Sequence, residues 1–328
     1  MKILVTRKIP GDHIQKLTDA GHVVVVSEFS RPLTQEELVE KIKGMDAVIT
    51  LLTDRVDGDL IDVAGPQLKI ISNYAVGFDN VDLKAASDRH VLVTNTPCDE
   101  VNEAVAEHTI ALLLNLARRI SEADRSVREG AYKGWEPDIF LGHNLKGKNL
   151  GIIGLGRIGT MVARFAKAFD MTILYTKKEE DRQIEKELGA KFVSLDELLN
   201  LSDFVSLHVP LTDDTRHMIN ASALFKMKKG AFLINTARGQ VVEERALIDS
   251  LRSGQLGGAA LDVFDNEPNL SPELIGLPNI ILTPHIASGT IEARHMMGEL
   301  AVGAILDLTK NKKPVNLLNP EIWPTRRQ

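Results

Sequence analysis

The chain has 328 residues, 44% of them hydrophobic and 26% charged, an ordinary globular balance at a length that exceeds one hydrophobic core, so two domains are expected. A net charge of -6 and few, scattered aromatic residues argue against a surface that tracks nucleic-acid phosphates or stacks bases. The single cysteine, Cys98, allows no intrachain disulfide and no thiol cluster for zinc or iron–sulfur, so a reducing, cytoplasmic setting is expected and no metal site.

Ile3-Leu4-Val5 reads as a first strand and lacks the longer apolar stretch of a signal peptide. The longest apolar run, 110–116, is far short of the roughly 18 to 20 residues that span a bilayer, so no membrane partner is expected. Further β-type runs at 23–26, 47–50, 69–72 and 91–93 alternate with helical candidates near 11–20, 34–43, 57–64 and 82–89. Strands alternating with helices imply a parallel, doubly wound sheet. From 101 to about 130 the three- and four-residue steps Val105, Thr109, Leu112, Leu113 and Leu116 predict one long helix, ended by Gly130, that connects two domains. A second series, 150–153, 172–175, 191–193, 204–207, 232–235, 259–263 and 280–282, predicts a second sheet. The helix predicted at 292–309 and the proline-containing tail have no strands left to complete, so they are expected to return to the first domain.

Gly154-Leu155-Gly156-Arg157-Ile158-Gly159 carries the first chemical signal. The spacing alone is weak, but a β-type run precedes it, and Ile158, Met161, Val162, Phe165, Ala166 and Phe169 follow at helical spacing. In such a turn the first glycine permits the bend, the second lets backbone approach a pyrophosphate, and the third allows close helix packing. The helix start offers unpaired N–H groups to the phosphates. The next strand is expected to end where an acid would hold the ribose 2′-hydroxyl of NAD, yet the sequence reads Thr176-Lys177-Lys178. A hydroxyl and two ammonium groups favour a 2′-phosphate, hence NADP over NAD, although Glu179 or Glu180 could still reach the ribose.

Three polar sites follow strands of the second series: Thr236-Ala237-Arg238-Gly239, then Asp265-Asn266-Glu267-Pro268 after Asp262, and Pro284-His285. Open α/β sheets bind ligands at the carboxyl ends of their strands. Reducing a 2-oxo acid needs a cation for the carboxylate, a donor for the developing alkoxide, and a partner for that donor. Arg238 suits the first task because its planar fork matches a carboxylate. His285 suits the second because imidazole titrates near neutrality. Glu267 suits the third, orienting the ring and favouring its charged form.

With Asn235-Thr236-Ala237-Arg238-Gly239, Leu261-Asp262-Val263-Phe264, Glu267-Pro268 and Pro284-His285-Ile286-Ala287-Ser288 added to the glycine turn, the chain resembles the D-isomer-specific 2-hydroxyacid dehydrogenases over essentially its whole length. The resemblance implies Arg238, Glu267 and His285 as catalytic residues. It also implies a Rossmann cofactor domain, 99–286, inserted into a flavodoxin-like substrate domain, 1–98 and 287–328, and a homodimer built around the long helix. Thr236, Ala237, Arg238, Asp262, His285 and Ala287 would face the cofactor. Backbone N–H groups of Val76 and Gly77, within Tyr74-Ala75-Val76-Gly77-Phe78-Asp79, would bind the substrate carboxylate, with Ser288 close by. The segments 51–57 and Trp135-Glu136-Pro137 look most like glyoxylate and hydroxypyruvate reductases, in which Leu52 would form an apolar wall and Trp135 would enter the neighbouring subunit's pocket.

The implied partner is a small 2-oxo or 2-hydroxy acid. A D-lactate or other D-2-hydroxyacid dehydrogenase is the rival within the family. A nucleotide-sensing corepressor resembling the C-terminal-binding proteins is the rival from another class, and it needs a peptide groove and disordered segments that the sequence does not display. His108, His143 and Cys98 read as structural, the cysteine having no adjacent histidine or lysine to activate it.

Overall fold

A computed structural model describes residues 1–328, which divide into two compact units, Met1–Val101 with Thr290–Gln328, and Asn102–Gly289. The first unit holds β1 (Lys2–Val5), α1 (His13–Asp19), β2 (Val23–Val26), α2 (Gln35–Ile42), β3 (Ala47–Leu51), α3 (Gly58–Ala64), β4 (Ile70–Tyr74), α4 (Leu83–Asp88) and β5 (Leu92–Thr94). Its sheet is wholly parallel in the order β2-β1-β3-β4-β5, the order of flavodoxin-like sheets. Helices cover both faces of such a sheet, which is why the apolar run Ile3, Leu4 and Val5 is fully buried, while the edge strand β2 stays partly exposed. The start of α2 is fixed by a capping box in which Thr34 Oγ1 accepts from Glu37 N and the Glu37 carboxylate accepts from Thr34 N.

The second unit contains α6 (Ile120–Arg128), which follows α5 (Asp99–Arg118), and then β6 (Asn149–Ile153), α7 (Arg157–Lys167), β7 (Thr172–Thr176), α8 (Arg182–Leu188), β8 (Lys191–Phe192), α9 (Leu195–Leu201) and β9 (Phe204–Leu207). It continues with α10 (Ala221–Lys226), β10 (Ala231–Asn235), α11 (Glu244–Arg252), β11 (Leu256–Leu261), α12 (Pro272–Ile275) and β12 (Ile280–Leu282). All seven strands are parallel, in the order β12-β11-β10-β9-β6-β7-β8. Counted from β6, this is the Rossmann order with one added strand. Its core lies on both faces of the sheet, around Leu233, Leu207 and Leu247 on one side and Leu150, Ile152 and Val162 on the other.

The single helix expected between 101 and 130 is two helices. Arg119 between them is left-handed, at φ 53°. The carbonyl of Ala117, which would accept from residue 121 in a continuing helix, accepts instead from His143 N at 2.7 Å. Gly142 makes that approach possible, since a Cβ there would stand 2.3 Å from the same oxygen. Ser121 N turns to the Asn115 side chain at 2.8 Å.

In the first unit, α13 (Ile291–Thr309) packs on β4, β3 and α1. The tail then bridges antiparallel from Leu317 to Thr94, and Asn319 accepts from Val93 N and donates to Val91 O. The tail thus closes the β5 edge, which would otherwise offer unpaired strand groups.

Candidate active site

In the second sheet β6 and β9 are neighbours, while β7 and β8 lie on the far side of β6. The strand order reverses here, and the carboxyl end of such a switch point opens a crevice. The glycine turn sits there. Gly154 has φ 97°, and a Cβ on it would stand 2.7 Å from the His208 carbonyl oxygen. A Cβ on Gly159 would stand 2.4 Å from Gly154 O, so α7 packs too closely on the turn for any side chain. Gly156 differs, because a Cβ there would meet nothing within 4 Å. The middle glycine therefore faces open space at the start of α7, where the first N–H groups of the helix have no side-chain cap. These residues fit a dinucleotide pyrophosphate.

His208 follows β9 beside this turn, with Nε2 2.8 Å from Ser206 Oγ. It is densely enclosed although part of its surface still reaches solvent, and that burial pushes its pKa down to about 4. At neutral pH it is an uncharged ring, one that the sequence reading missed.

At the end of β7, Thr176 and the following Lys177 are half-buried and Lys178 is exposed. The Lys177 ammonium lies 3.2 Å from Asp181 Oδ2. Asp181 also caps α8 by accepting from Ile184 N, and its own N–H donates to Tyr175 Oη. The Ile184 N–H and then the Lys177 charge hold its carboxyl below the ordinary range.

The polar residues after β10, β11 and β12 converge along the same edge. Fully buried Asp262 accepts from Thr283 Oγ1 at 2.6 Å and Ile286 N at 2.9 Å through one oxygen, and from Ala287 N at 2.7 Å through the other. Burial alone would raise its pKa. His108 on α5, Thr283 and the two backbone N–H groups more than offset that and hold it below the ordinary carboxylate value. His108 Nε2 is 3.6 Å from the carboxylate and 3.2 Å from Thr283 Oγ1. This cluster fixes the segment in which His285 adopts φ 54°, its N–H donating to Asp262 O at 2.9 Å.

His285 Nδ1 then meets Glu267 Oε2 at 2.9 Å, and Glu267 Oε1 accepts from Phe264 N at 3.0 Å. Burial works against the Glu267 charge, but the His285 hydrogen bond and charge, the Phe264 N–H and the nearby Arg238 guanidinium hold its pKa below the ordinary value. Both side chains remain about one-third exposed, at 27% for His285 and 31% for Glu267, so the ring can meet a ligand. Arg238 leaves β10 through a turn pinned by buried Asn235, which donates to Arg238 O at 2.9 Å and accepts from Ala237 N at 3.0 Å. Gly239 is obligatory, because a Cβ there would stand 1.9 Å from the Phe264 carbonyl carbon. Thr236 Oγ1 lies 3.0 Å from Thr109 Oγ1 on α5. Ser288 is half-buried and Ala287 buried.

Leu52, Val76 and Gly77 belong to the first unit, and each lies just past a strand of its sheet. Buried Asp54 accepts from Thr6 Oγ1 and Leu51 N and so holds the loop that exposes Leu52. Asn95 donates to Val76 O at 2.7 Å and Asn73 to Gly77 O at 3.1 Å, which fixes both peptide planes. Asn80 ties the same loops together through Leu51 O and Asp54 O. These three asparagines were not singled out from sequence, although polar amides beside a buried apolar strand were a signal for them.

In the second unit a cavity of about 620 Å³ opens at the amino ends of the strands, among Phe232, Gly258, Ile280 and Arg119. Open α/β sheets bind ligands at the opposite end, the carboxyl end where Gly154 and His285 lie. Trp135 is 83% exposed. His143 packs its ring on Phe232, and burial raises the Cys98 thiol pKa.

A Rossmann sheet with a glycine turn at its switch point and a paired histidine and glutamate beside an arginine is the architecture of an oxidoreductase that uses a nicotinamide dinucleotide. The family model described as D-isomer specific 2-hydroxyacid dehydrogenase, NAD binding domain, matches residues 110–287. The chain belongs to this family. It is 45% identical to a glyoxylate reductase of Pyrococcus furiosus, covering 99% of this chain and 97% of that one, and 46% identical to one of Thermococcus onnurineus, at 99% and 98%. The crystal structure of the TT0316 protein from Thermus thermophilus superposes with a TM-score of 0.90 at 42% identity, covering 97% of this chain and all of that one. No helix is long and apolar enough to cross a membrane.

Proposed function

We propose that the protein reduces glyoxylate, and hydroxypyruvate after it, to the corresponding 2-hydroxy acids, with the proton supplied by His285. The observation that carries this reading is the 2.9 Å contact between His285 Nδ1 and Glu267 at the carboxyl edge of the sheet that holds the glycine turn. The dinucleotide, when bound along Gly154, Gly156 and Gly159, supplies the hydride. Arg238 pairs with the substrate carboxylate and sets the carbonyl in place. The His285 ring, held by Glu267, turns its Nε2–H toward the carbonyl oxygen and gives up that proton as the alkoxide forms. Glu267 keeps the ring oriented through its contact with Nδ1.

Thr176, Lys177 and Lys178 support NADPH over NADH, because a hydroxyl and two ammonium groups suit a 2′-phosphate. Homodimerisation is supported by α6, which buries none of its residues in the single chain, and by exposed Trp135, which we assign to the neighbouring subunit's substrate pocket. One cysteine and no membrane-spanning helix support a cytoplasmic location.

Steady-state reduction of glyoxylate, hydroxypyruvate and pyruvate, each with NADPH and NADH, tests the reading. The largest kcat/KM is expected for glyoxylate with NADPH. A larger value for pyruvate would overturn the substrate assignment, a larger value with NADH the coenzyme assignment, and an undiminished rate in His285→Ala the proton donor.

A further inference from the structure

Within the first unit, α1 begins at His13 and α13 presents His295 and Glu299 one turn apart on the same face. His13 is fully buried, yet neither of its ring nitrogens has a hydrogen-bond partner. Its Nδ1 lies 3.2 Å from Glu299 Oε1 without hydrogen-bond alignment, and His295 Nε2 lies 3.9 Å from the same oxygen. The two imidazoles meet edge to face with centroids 4.6 Å apart. Glycine at 298 makes the slot, because a Cβ there would stand 2.3 Å from His13 Cδ2. Two polar atoms at contact distance that do not aim at each other are arranged as ligands of a common centre.

We propose that His13, His295 and Glu299 bind a zinc-like divalent transition-metal ion, with water in the fourth position. The three ligand atoms all lie within 4.8 Å of one another. A tetrahedral zinc ion with bonds of about 2.0 to 2.2 Å holds its ligands about 3.4 Å apart. The His13 and Glu299 atoms already match that separation, and His295, whose side chain is 58% exposed, closes the remainder by rotating. Two imidazoles and one carboxylate suit zinc, cobalt or nickel better than the all-oxygen shells of magnesium and calcium. Lys16 competes for the site, since its ammonium bonds Glu299 Oε1. Binding therefore exchanges Lys16 for the ion and clamps α1 to α13, joining the two sequence segments of this unit.

The full-length protein, treated with a chelator and dialysed, is titrated with zinc chloride by calorimetry and with cobalt chloride by visible absorption. One ion per chain is expected, with the cobalt bands of a four-coordinate nitrogen and oxygen site. His295→Ala and Glu299→Gln, both at solvent-reachable positions, should each weaken binding at least about tenfold. Lys16→Ala should strengthen it by about two- to fivefold by removing the competitor. A merely structural cluster would not bind an ion more tightly on losing a lysine. Absence of stoichiometric binding to the wild-type chain, or wild-type affinity in either His295→Ala or Glu299→Gln, overturns the assignment.

Discussion

Asp262→Asn isolates the device that positions His285. The buried carboxylate accepts three hydrogen bonds through two oxygens, from Thr283 and Ile286 on one and from Ala287 on the other. An amide supplies a single oxygen, so in either orientation its NH₂ faces at least one donor. The less costly orientation forfeits the Ala287 bond, about 1.5 to 3 kcal/mol for a charged acceptor, and weakens the other two, for a total of about 3 to 5 kcal/mol. At about 2 to 4 °C per kcal/mol for a unit of this size, the melting temperature should fall by about 10 °C. The Asp262 pKa is lowered in the folded chain, so its stabilisation is complete above the unfolded carboxylate value of about 3.9 and is lost as the pH falls through the folded value. Calorimetric melting of both proteins should therefore show a constant gap from pH 8 to pH 5 that narrows only below about pH 4. A drop of less than about 2 °C at pH 7, or a gap that widens on acidification, would refute the reasoning.

Glu267→Gln keeps the size of the side chain but removes the charge opposite His285 Nδ1, and should lower kcat about 10- to 100-fold with KM changed less than about threefold, as read by steady-state kinetics. Asp181→Asn preserves the cap of α8, since Asn and Asp cap equally well, but takes away the acid that engages Lys177. The ratio of kcat/KM for NADPH to that for NADH should rise about two- to fivefold. Gly239→Ala drives a methyl group into the Phe264 carbonyl, and should cost about 1 to 3 kcal/mol in urea unfolding together with most of the activity, because Glu267 and Arg238 flank the displaced backbone.

Much of this architecture is written locally. Val23-Val24-Val25-Val26 and Ile152-Ile153 announce strands because β-branched side chains suit a pleated sheet, and Gly154 to Gly159 announces its turn because the preceding strand and following helix are adjacent in sequence. Arg238, Glu267 and His285 could be picked out because each lies in the short polar segment after a β-type run. The break at Arg119 was illegible, since it depends on His143 N reaching Ala117 O from far along the chain. The service that His108 renders to Asp262 was illegible for the same reason, as was the enclosure that keeps His208 neutral. Asn73, Asn80 and Asn95 hold carbonyls in other loops, and only folding shows which loops those are.

The discontinuity of the first unit sets an order of events during synthesis. Its five strands leave the ribosome first, yet α13, which covers β4 and β3, and the tail that closes β5 are encoded after Gly289. At about 5 to 20 residues per second the intervening segment takes about 10 to 40 s to emerge. During that interval the apolar faces of β3 and β4 lack their helix, whereas the segment from Asn102 to Gly289 already holds every strand of its own sheet. The half that is translated first is therefore the half that finishes last, and it is there that a nascent chain most needs shielding from its neighbours.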